Sequence, residues 1–337
     1  MDSVTFEKRL MKIEDASEVM EKLPLAYPVM SNSALYRQQP EHFQVTEVLN
    51  FEAEGEGDHL YLYIQKRETN TDWLAKELAR KAGLEQVDVG YAGRKDRFAV
   101  TRQWFSLHCP KSKAVASGIF NNTDYQVIEQ TRHTKKLRKG ELAYNQFKLQ
   151  LIEFEGSYAN FQKRLELIAS QGFPNYFGPQ RFGQQAENVN KALEMLSGRL
   201  RIRDRNKRSI YLSAARSYLF NLVLAKRIEK GCWLSPIMGD IFSDEQTPTI
   251  TGPMFGDGKN TVTDAALVLE TEVFATQPNL CEGIANSRIQ WQRRPLSVIP
   301  DNVSSRENEL GIEVEFSLRS GSYATSLLRE LLVLKNN

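Results

Sequence analysis

Asp96 lies in the run Tyr91-Ala92-Gly93-Arg94-Lys95-Asp96-Arg97, one carboxylate among three cationic side chains. Cations this close favour the ionised form of a carboxyl unless burial opposes them, so the run reads as a poised anion. The residues that follow, 98–107, are rich in β-branched and aromatic types and predict a strand. That would put the carboxylate at a loop-to-strand junction, where a rigid element can hold a loop residue for chemistry. Gly-x-x-Asp is also the spacing of an ordinary turn, and the local sequence leaves both readings open.

Other segments carry groups suited to a polyanionic or planar ligand. Residues 131–139 include Arg132, His133, Lys135, Lys136, Arg138 and Lys139, and residues 199–208 carry six cations against one acid. Each run has enough charge to neutralise several phosphates, and together they are expected to line two walls of one cleft; each alone also reads as a solvated face. Asn145 and Phe147 fall on one side of an extended chain by the two-residue period. An amide beside an aromatic face suits a flat heterocycle, while a lone strand phenylalanine is equally a core residue. Residues 172–183 form a loop dense in aromatics, glycines and prolines, read as a hinge or a binding surface. Arg216, among small residues on a long helix, reads as a phosphate contact or a surface cation.

The elements that must position these groups show a two-part pattern. Strands are expected at 59–66, 98–107, 146–154 and 312–318, where apolar residues run together or alternate with polar ones. A helix is expected over 71–83, with Thr71 as its cap and Gly83 as its stop. Between about 155 and 230 the pattern turns helical, at 159–170, 186–196 and 209–230, and residues 235–260 hold enough Gly and Pro to predict loops or short strands. A final helix is expected over 324–334. Strand-rich ends around a helix-rich middle predict a sheet domain made from both ends of the chain and interrupted by an insertion.

Composition narrows the function classes. With 41% hydrophobic and 26% charged residues and no apolar run near the roughly 20 needed to cross a bilayer, the chain reads as a globular protein that does not enter membranes. The first residues lack a basic stretch leading into an apolar one, so a cytoplasmic location is expected. Cys109, Cys232 and Cys281 are widely separated, which supports neither a disulfide framework nor a zinc site. No phosphate loop, dinucleotide fingerprint, nucleophile elbow or His-Glu-x-x-His is present, so neither a metal nor a cofactor is expected.

Taken in order, several segments resemble the TruD family of tRNA pseudouridine synthases. They are Phe43-Gln44-Val45-Thr46-Glu47, Gly55-Glu56-Gly57-Asp58-His59, Ala92-Gly93-Arg94-Lys95-Asp96-Arg97, Lys136-Leu137-Arg138, Asn175-Tyr176-Phe177-Gly178-Pro179-Gln180-Arg181-Phe182-Gly183, Arg205-Asn206-Lys207-Arg208-Ser209, Ser213-Ala214-Ala215-Arg216-Ser217 and Gly321-Ser322-Tyr323-Ala324-Thr325-Ser326. The resemblance covers nearly all of the chain after about residue 33, leaving residues 1–33 as an extension or a poorly matched N-terminus.

It implies an α+β fold: a pseudouridine synthase catalytic domain with a mixed, mainly antiparallel sheet over 1–170 and 296–337, and a TruD-type insertion domain over 171–295. It implies isomerisation of uridine to pseudouridine in tRNA, at uridine 13, without metal or cofactor. Asp96 resembles the catalytic aspartate, Phe147 the ring that stacks on uracil, and Asn145 the active-site amide. Arg37, where the family usually has lysine, matches a basic position that pairs with the aspartate. Tyr144 stands where glycine is common. Lys135, Lys136, Arg138, Arg205, Lys207, Arg208 and Arg216 become RNA contacts on this reading. Two rivals remain: a non-catalytic RNA-binding protein on the same scaffold, and a retaining glycosidase, which needs a second carboxylate within about 5.5 Å of Asp96, with Glu47 as the candidate.

Overall fold

A computed structural model describes residues 16–110, 117–244 and 247–335 of the 337-residue chain. In chain order the strands are β1 Ser33–Leu35, β2 Phe43–Leu49, β3 His59–Arg67, β4 Val89–Tyr91, β5 Val100–His108, β6 Tyr125–His133, β7 Leu142–Glu155, β8 Phe173–Pro174, β9 Thr251–Met254, β10 Gln292–Pro295, β11 Ser297–Val298, β12 Asp301–Asn308, β13 Gly311–Arg319 and β14 Val333–Lys335. Residues 30–172, 299–324 and 331–335 belong to one compact unit, and residues 16–29, 173–298 and 325–330 to another. The sequence expectation kept both ends of the chain wholly with the sheet. Instead the Glu330 carboxylate accepts from the Ala26 and Tyr27 N–H groups at 3.1 and 3.2 Å, which binds segments of both ends into the second unit. The expected extension over residues 1–33 lies outside the described residues as far as residue 15.

The first unit is built on a sheet with the order β12-β13-β7-β2-β5-β3-β6. Each neighbouring pair is antiparallel except β2 with β5, which is parallel. The alternation expected in the chain does the packing: Leu60, Leu62 and Ile64 of β3 and Phe105 and Leu107 of β5 bury against Leu74, Ala75, Leu78 and Ala79 of the helix Thr71–Ala82. That helix is capped by Asn70, whose side chain accepts from the Asp72 and Trp73 N–H groups, and not by Thr71 as expected. Gly83, at φ +61°, ends it in the left-handed conformation that glycine adopts without strain. The edge strands β6 and β12 are polar and largely exposed. β12 has no buried residue and β6 buries only Tyr125 and His133 at its ends, so neither carries an alternation along its length. At the C-terminus the expected helix stops at Leu331, and β14 pairs parallel with β1, the Val333 N–H donating to the Asn32 carbonyl at 2.9 Å.

The second unit centres on the 25-residue helix Arg205–Glu229, whose inward stripe of Tyr211, Ala214, Ala215, Tyr218, Leu219 and Val223 is buried. The shorter helices Glu187–Leu196, Asp264–Phe274 and Pro278–Ala285 lie in the same unit, with β9 and β10 as a two-stranded sheet. Among the described residues, no helix is long and apolar enough to cross a membrane.

One glycine in the first unit is required by space alone. A Cβ on Gly90 of β4 would fall 2.2 Å from the Leu137 carbonyl oxygen and 2.6 Å from Ser106 Oγ, the atom that accepts from the Leu137 N–H at 2.9 Å. Gly90→Ala should therefore cost about 1–3 kcal/mol of unfolding free energy, read as a lowered denaturation midpoint in urea.

Candidate active site

The irregular segment between β4 and β5 carries Asp96 into the first unit's site. It has almost no ladder of its own, so side chains from regular elements fix it. The Thr71 hydroxyl, free because Asn70 does the capping, accepts from the Lys95 N–H at 3.1 Å and donates to Gln103 Oε1 at 3.1 Å. Gln103 Nε2 in turn donates to the Gly93 carbonyl at 3.1 Å. Thr71 and Gln103 are both buried, so these bonds face little competition from water.

The cations beside Asp96 in sequence have partners of their own. Lys95 pairs with Glu47, and both side chains are buried. Burial pushes the Glu47 carboxyl up, while Lys95 and the Trp104 N–H, which donates to Glu47 Oε1 at 3.2 Å, oppose that rise. Arg94 pairs with Asp72 at 2.9 Å, and Arg97 Nε donates to the Glu68 carbonyl at 3.3 Å. Asp96 forms an ion pair with a residue remote in sequence, Arg37, at 3.2 Å, with the Arg37 and Asp96 side chains 18% and 29% exposed. Arg37 is held at φ +58°, a left-handed conformation uncommon for a non-glycine residue. Its guanidinium carbon sits 4.0 Å above the Phe43 ring centroid, a cation–π contact that sets its height over the sheet.

From Arg37 the contacts run on through aromatics. Phe43 meets Phe147 edge-on at 6.1 Å, and Phe147 stacks on Phe316 at 5.3 Å. The register explains this row: Phe147 on β7 lies opposite Val45 on β2 and Phe316 on β13. Two residues along, Asn145 lies between Glu47 and Leu318. Asn145 Oδ1 is buried and has no hydrogen-bond partner among the described residues. Tyr144 takes an ordinary ladder position on β7 opposite Val48 and Arg319, so glycine is not needed there. The structure thus assembles Asp96, Arg37, Asn145 and Phe147 in one unit. Phe147 is 8% exposed, which makes it a member of the core as well.

Sequence reasoning missed two contributors. Lys66 is fully buried, and its ammonium donates to the Thr69 carbonyl at 2.6 Å and to the Asp96 carbonyl at 3.4 Å. The signal was available, because Lys66 continues the inward series Leu60, Leu62, Ile64 at period two. The other is Glu47, nominated only as a glycosidase acid. Its carboxylate is spent on Lys95 and Trp104, which removes that rival's one candidate.

The cationic candidates divide sharply. Lys135 and Arg138 are exposed, while the Lys136 ammonium donates to the Val87 carbonyl. Arg205, Lys207 and Arg208 are exposed in the first turn of the long helix, behind the cap Asp204, which accepts from the Asn206 and Lys207 N–H groups. Arg216, expected as a phosphate contact or surface cation, is 9% exposed and donates to the Phe255, Met254 and Gln290 carbonyls at 2.7, 2.9 and 3.0 Å. It ties loops of the second unit together. In the loop read as a hinge or binding surface, Asn175, Tyr176, Phe177 and Phe182 are buried, and Asn221 bonds both the N–H and the carbonyl of Phe177. Those aromatics are core residues.

The first unit thus holds a basic–acidic pair over an aromatic row on a mainly antiparallel sheet. The sequence model of the family tRNA pseudouridine synthase D (TruD) matches residues 32–193, 184–277 and 244–331. The chain is 42% identical over 319 residues to the tRNA pseudouridine synthase D of Cellvibrio japonicus, covering 93% of each chain. It is 39% identical over 332 residues to the enzyme of that name from Methylococcus capsulatus, covering 92% of this chain and 94% of the relative. A solved structure titled putative tRNA pseudouridine synthase D (TruD), from Methanosarcina mazei, superposes with a TM-score of 0.70 at 21% identity, covering 96% of this chain and 98% of that one, and shares the fold. The chain belongs to the tRNA pseudouridine synthase D family.

The Glu47–Lys95 pair gives a direct test of how this loop is held. Glu47→Gln leaves an ammonium buried without its counter-charge and should cost about 3–5 kcal/mol, whereas Glu47→Gln with Lys95→Met should recover part of that loss. Denaturation midpoints of the wild type, both single variants and the double variant complete the cycle.

Proposed function

We propose that this chain, an isomerase of the tRNA pseudouridine synthase type by family, converts uridine 13 of tRNA to pseudouridine in the cytoplasm with Asp96 as its catalytic carboxylate. The observation that carries the reading is the 3.2 Å Arg37–Asp96 pair, which keeps a partly accessible carboxylate beside a cation at the place where the family's motif falls. The reaction breaks the N1–C1′ and C5–H bonds and forms C5–C1′ and N1–H bonds, with one proton lost from C5 and one gained at N1. Every heavy atom of the product comes from the uridine, so the step balances without a co-substrate.

The target base leaves the stack to reach the site, at a cost of a few kcal/mol that phosphate contacts and stacking offset. Asp96, paired with Arg37 at 3.2 Å, either attacks C1′ of the ribose or removes a sugar proton. Asn145 Oδ1, buried and unpartnered among the described residues, is suited to accept from uracil N3–H, which would satisfy an otherwise costly buried acceptor. Phe147, braced by Phe316 and Phe43, grips the base by stacking while it turns; a ring face tolerates rotation better than fixed hydrogen bonds do. The unit containing residues 30–172 is the catalytic domain on this reading, and the unit containing residues 173–298 is the insertion domain.

Lys135, Lys136 and Arg138 from one unit and Arg205, Lys207 and Arg208 from the other contact RNA phosphates. The second set supports this on physical grounds. Three cations in the first turn of a helix oppose its positive dipole end, an arrangement that costs stability unless an anion is bound there. Arg216 has its structural work and is left out of the contact set.

Asp96→Asn should abolish pseudouridine formation on unmodified tRNA while leaving the Kd for that tRNA within about twofold. Normal turnover by that variant overturns the assignment, and a wild-type protein that binds tRNA without making product is a binding protein on this scaffold. Mapping pseudouridine in RNA from cells with and without the gene tests position 13. Replacing Lys135, Lys136 and Arg138 together by alanine should weaken binding and reduce the slope of log K against log salt by up to about 2. An unchanged slope returns that run to a solvated face.

A further inference from the structure

A lysine at the position of Lys66 is expensive. It is 0% exposed on the face of β3 that packs under the helix Thr71–Ala82, its hydrogen-bond acceptors are the two main-chain carbonyls of Thr69 and Asp96, and no ion pair within 4.0 Å is formed among the described residues. A buried charge without a close counter-ion costs more than an apolar residue of similar length such as methionine. What the ammonium adds is a bridge between the turn after β3 and the loop that carries the reactive carboxylate.

We propose that Lys66 is a positioning residue for the reaction, its buried ammonium fixing the peptide group of Asp96 and with it the direction in which the carboxylate is presented. This rests on the reading of Asp96 as the catalytic group. Two charges act on Lys66, both from the loop between β4 and β5: Asp96 attracts it and Lys95 opposes it. Its register partners on β5 and β6 are Thr101 and Tyr125, which bring hydroxyl groups. On the helix, Asp72 is engaged by Arg94. In the turn, Arg67 is engaged by Glu41 and Glu68.

Burial pushes the Lys66 ammonium down to about 8. As the pH rises past that value the bridge loses its charge, and the rate should fall. Stability should move the other way. Between about 8 and the usual lysine value of 10.5 the unfolded chain binds a proton that the folded chain has released, so unfolding free energy rises with pH from this group. Loss of rate with gain of stability separates a positioning ammonium from alkaline unfolding.

The experiment compares the full-length wild type with Lys66→Met, Lys66→Arg and Asp96→Asn, using unmodified tRNA in single turnover from pH 6 to 10, with melting temperatures and tRNA Kd measured alongside. Lys66→Met should melt no lower than wild type, bind tRNA equally, and turn over about a hundredfold more slowly, with no rate limb near pH 8. Lys66→Arg keeps a charge that does not titrate in this range, so it should recover part of the rate and also lose the limb; it decides the matter if the methionine variant does not fold. A wild-type rate in Lys66→Met, or a limb near pH 8 that persists in either variant, overturns the proposal. Turnover by Asp96→Asn overturns the reading of Asp96 itself, whatever the Lys66 variants do.

Discussion

The Arg37–Asp96 pair requires an irregular loop to be as rigid as a strand. A carboxylate on a loose loop would pair with any of its neighbouring cations and would sample many directions. Here each neighbour is withdrawn: Arg94 to Asp72, Lys95 to Glu47, and Arg97 to the Glu68 carbonyl. The main chain is meanwhile anchored at Gly93, Lys95 and Asp96 by Gln103, Thr71 and Lys66. Buried polar groups in such a network are costly unless all are satisfied, and once satisfied they specify one arrangement. The rest of the site follows from that arrangement, because the position of Asp96 decides where Arg37 and the aromatic row beneath it must lie.

Much of this was legible in the sequence, for reasons that differ by element. The strand β13 announces itself by alternation, β3 by a run of aromatic and aliphatic residues, and the helix Thr71–Ala82 by its helix formers and its glycine stop. The polar edge strands β6 and β12 do not, since neither face is buried enough to impose a pattern. For the proposed site, type and spacing were enough to nominate Asp96, Asn145 and Phe147, and the family resemblance gave them roles. The electrostatics could not be inferred from proximity along the chain: the adjacent cations suggested that they tune Asp96, and the fold gives that place to Arg37. Lys66 reads only as the end of a strand, with no role, and a capping assignment to Thr71 hid a hydroxyl that serves the loop.

Arginine is the residue type for which the sequence separates roles least well. Arg216 lies among small residues on the inward stripe of the long helix, and there its guanidinium donates to the Phe255, Met254 and Gln290 carbonyls. Arg227, on the same helix, is fully buried against Asp240. Arg205 and Arg208, about three and two turns before Arg216, are exposed. The distinction is the helical phase relative to Tyr211, Ala214 and Ala215, which a charge count cannot supply.

The parallel pairing of β2 with β5, and the return of β13 to the other side of β7, have a consequence for how the molecule is made. Arg37, Asp96, Asn145 and the ring of Phe316 that backs Phe147 come from four separate stretches, and the last is synthesised only after residues 173–298 of the helical unit. A nascent chain can form the β3–β5–β6 portion early, because those pairings close short loops. The aromatic row, by contrast, is completed only when β13 emerges and zips onto β7. Unfinished chains therefore display Phe147 and the β7 edge without their cover, which makes that edge the place where premature association would begin.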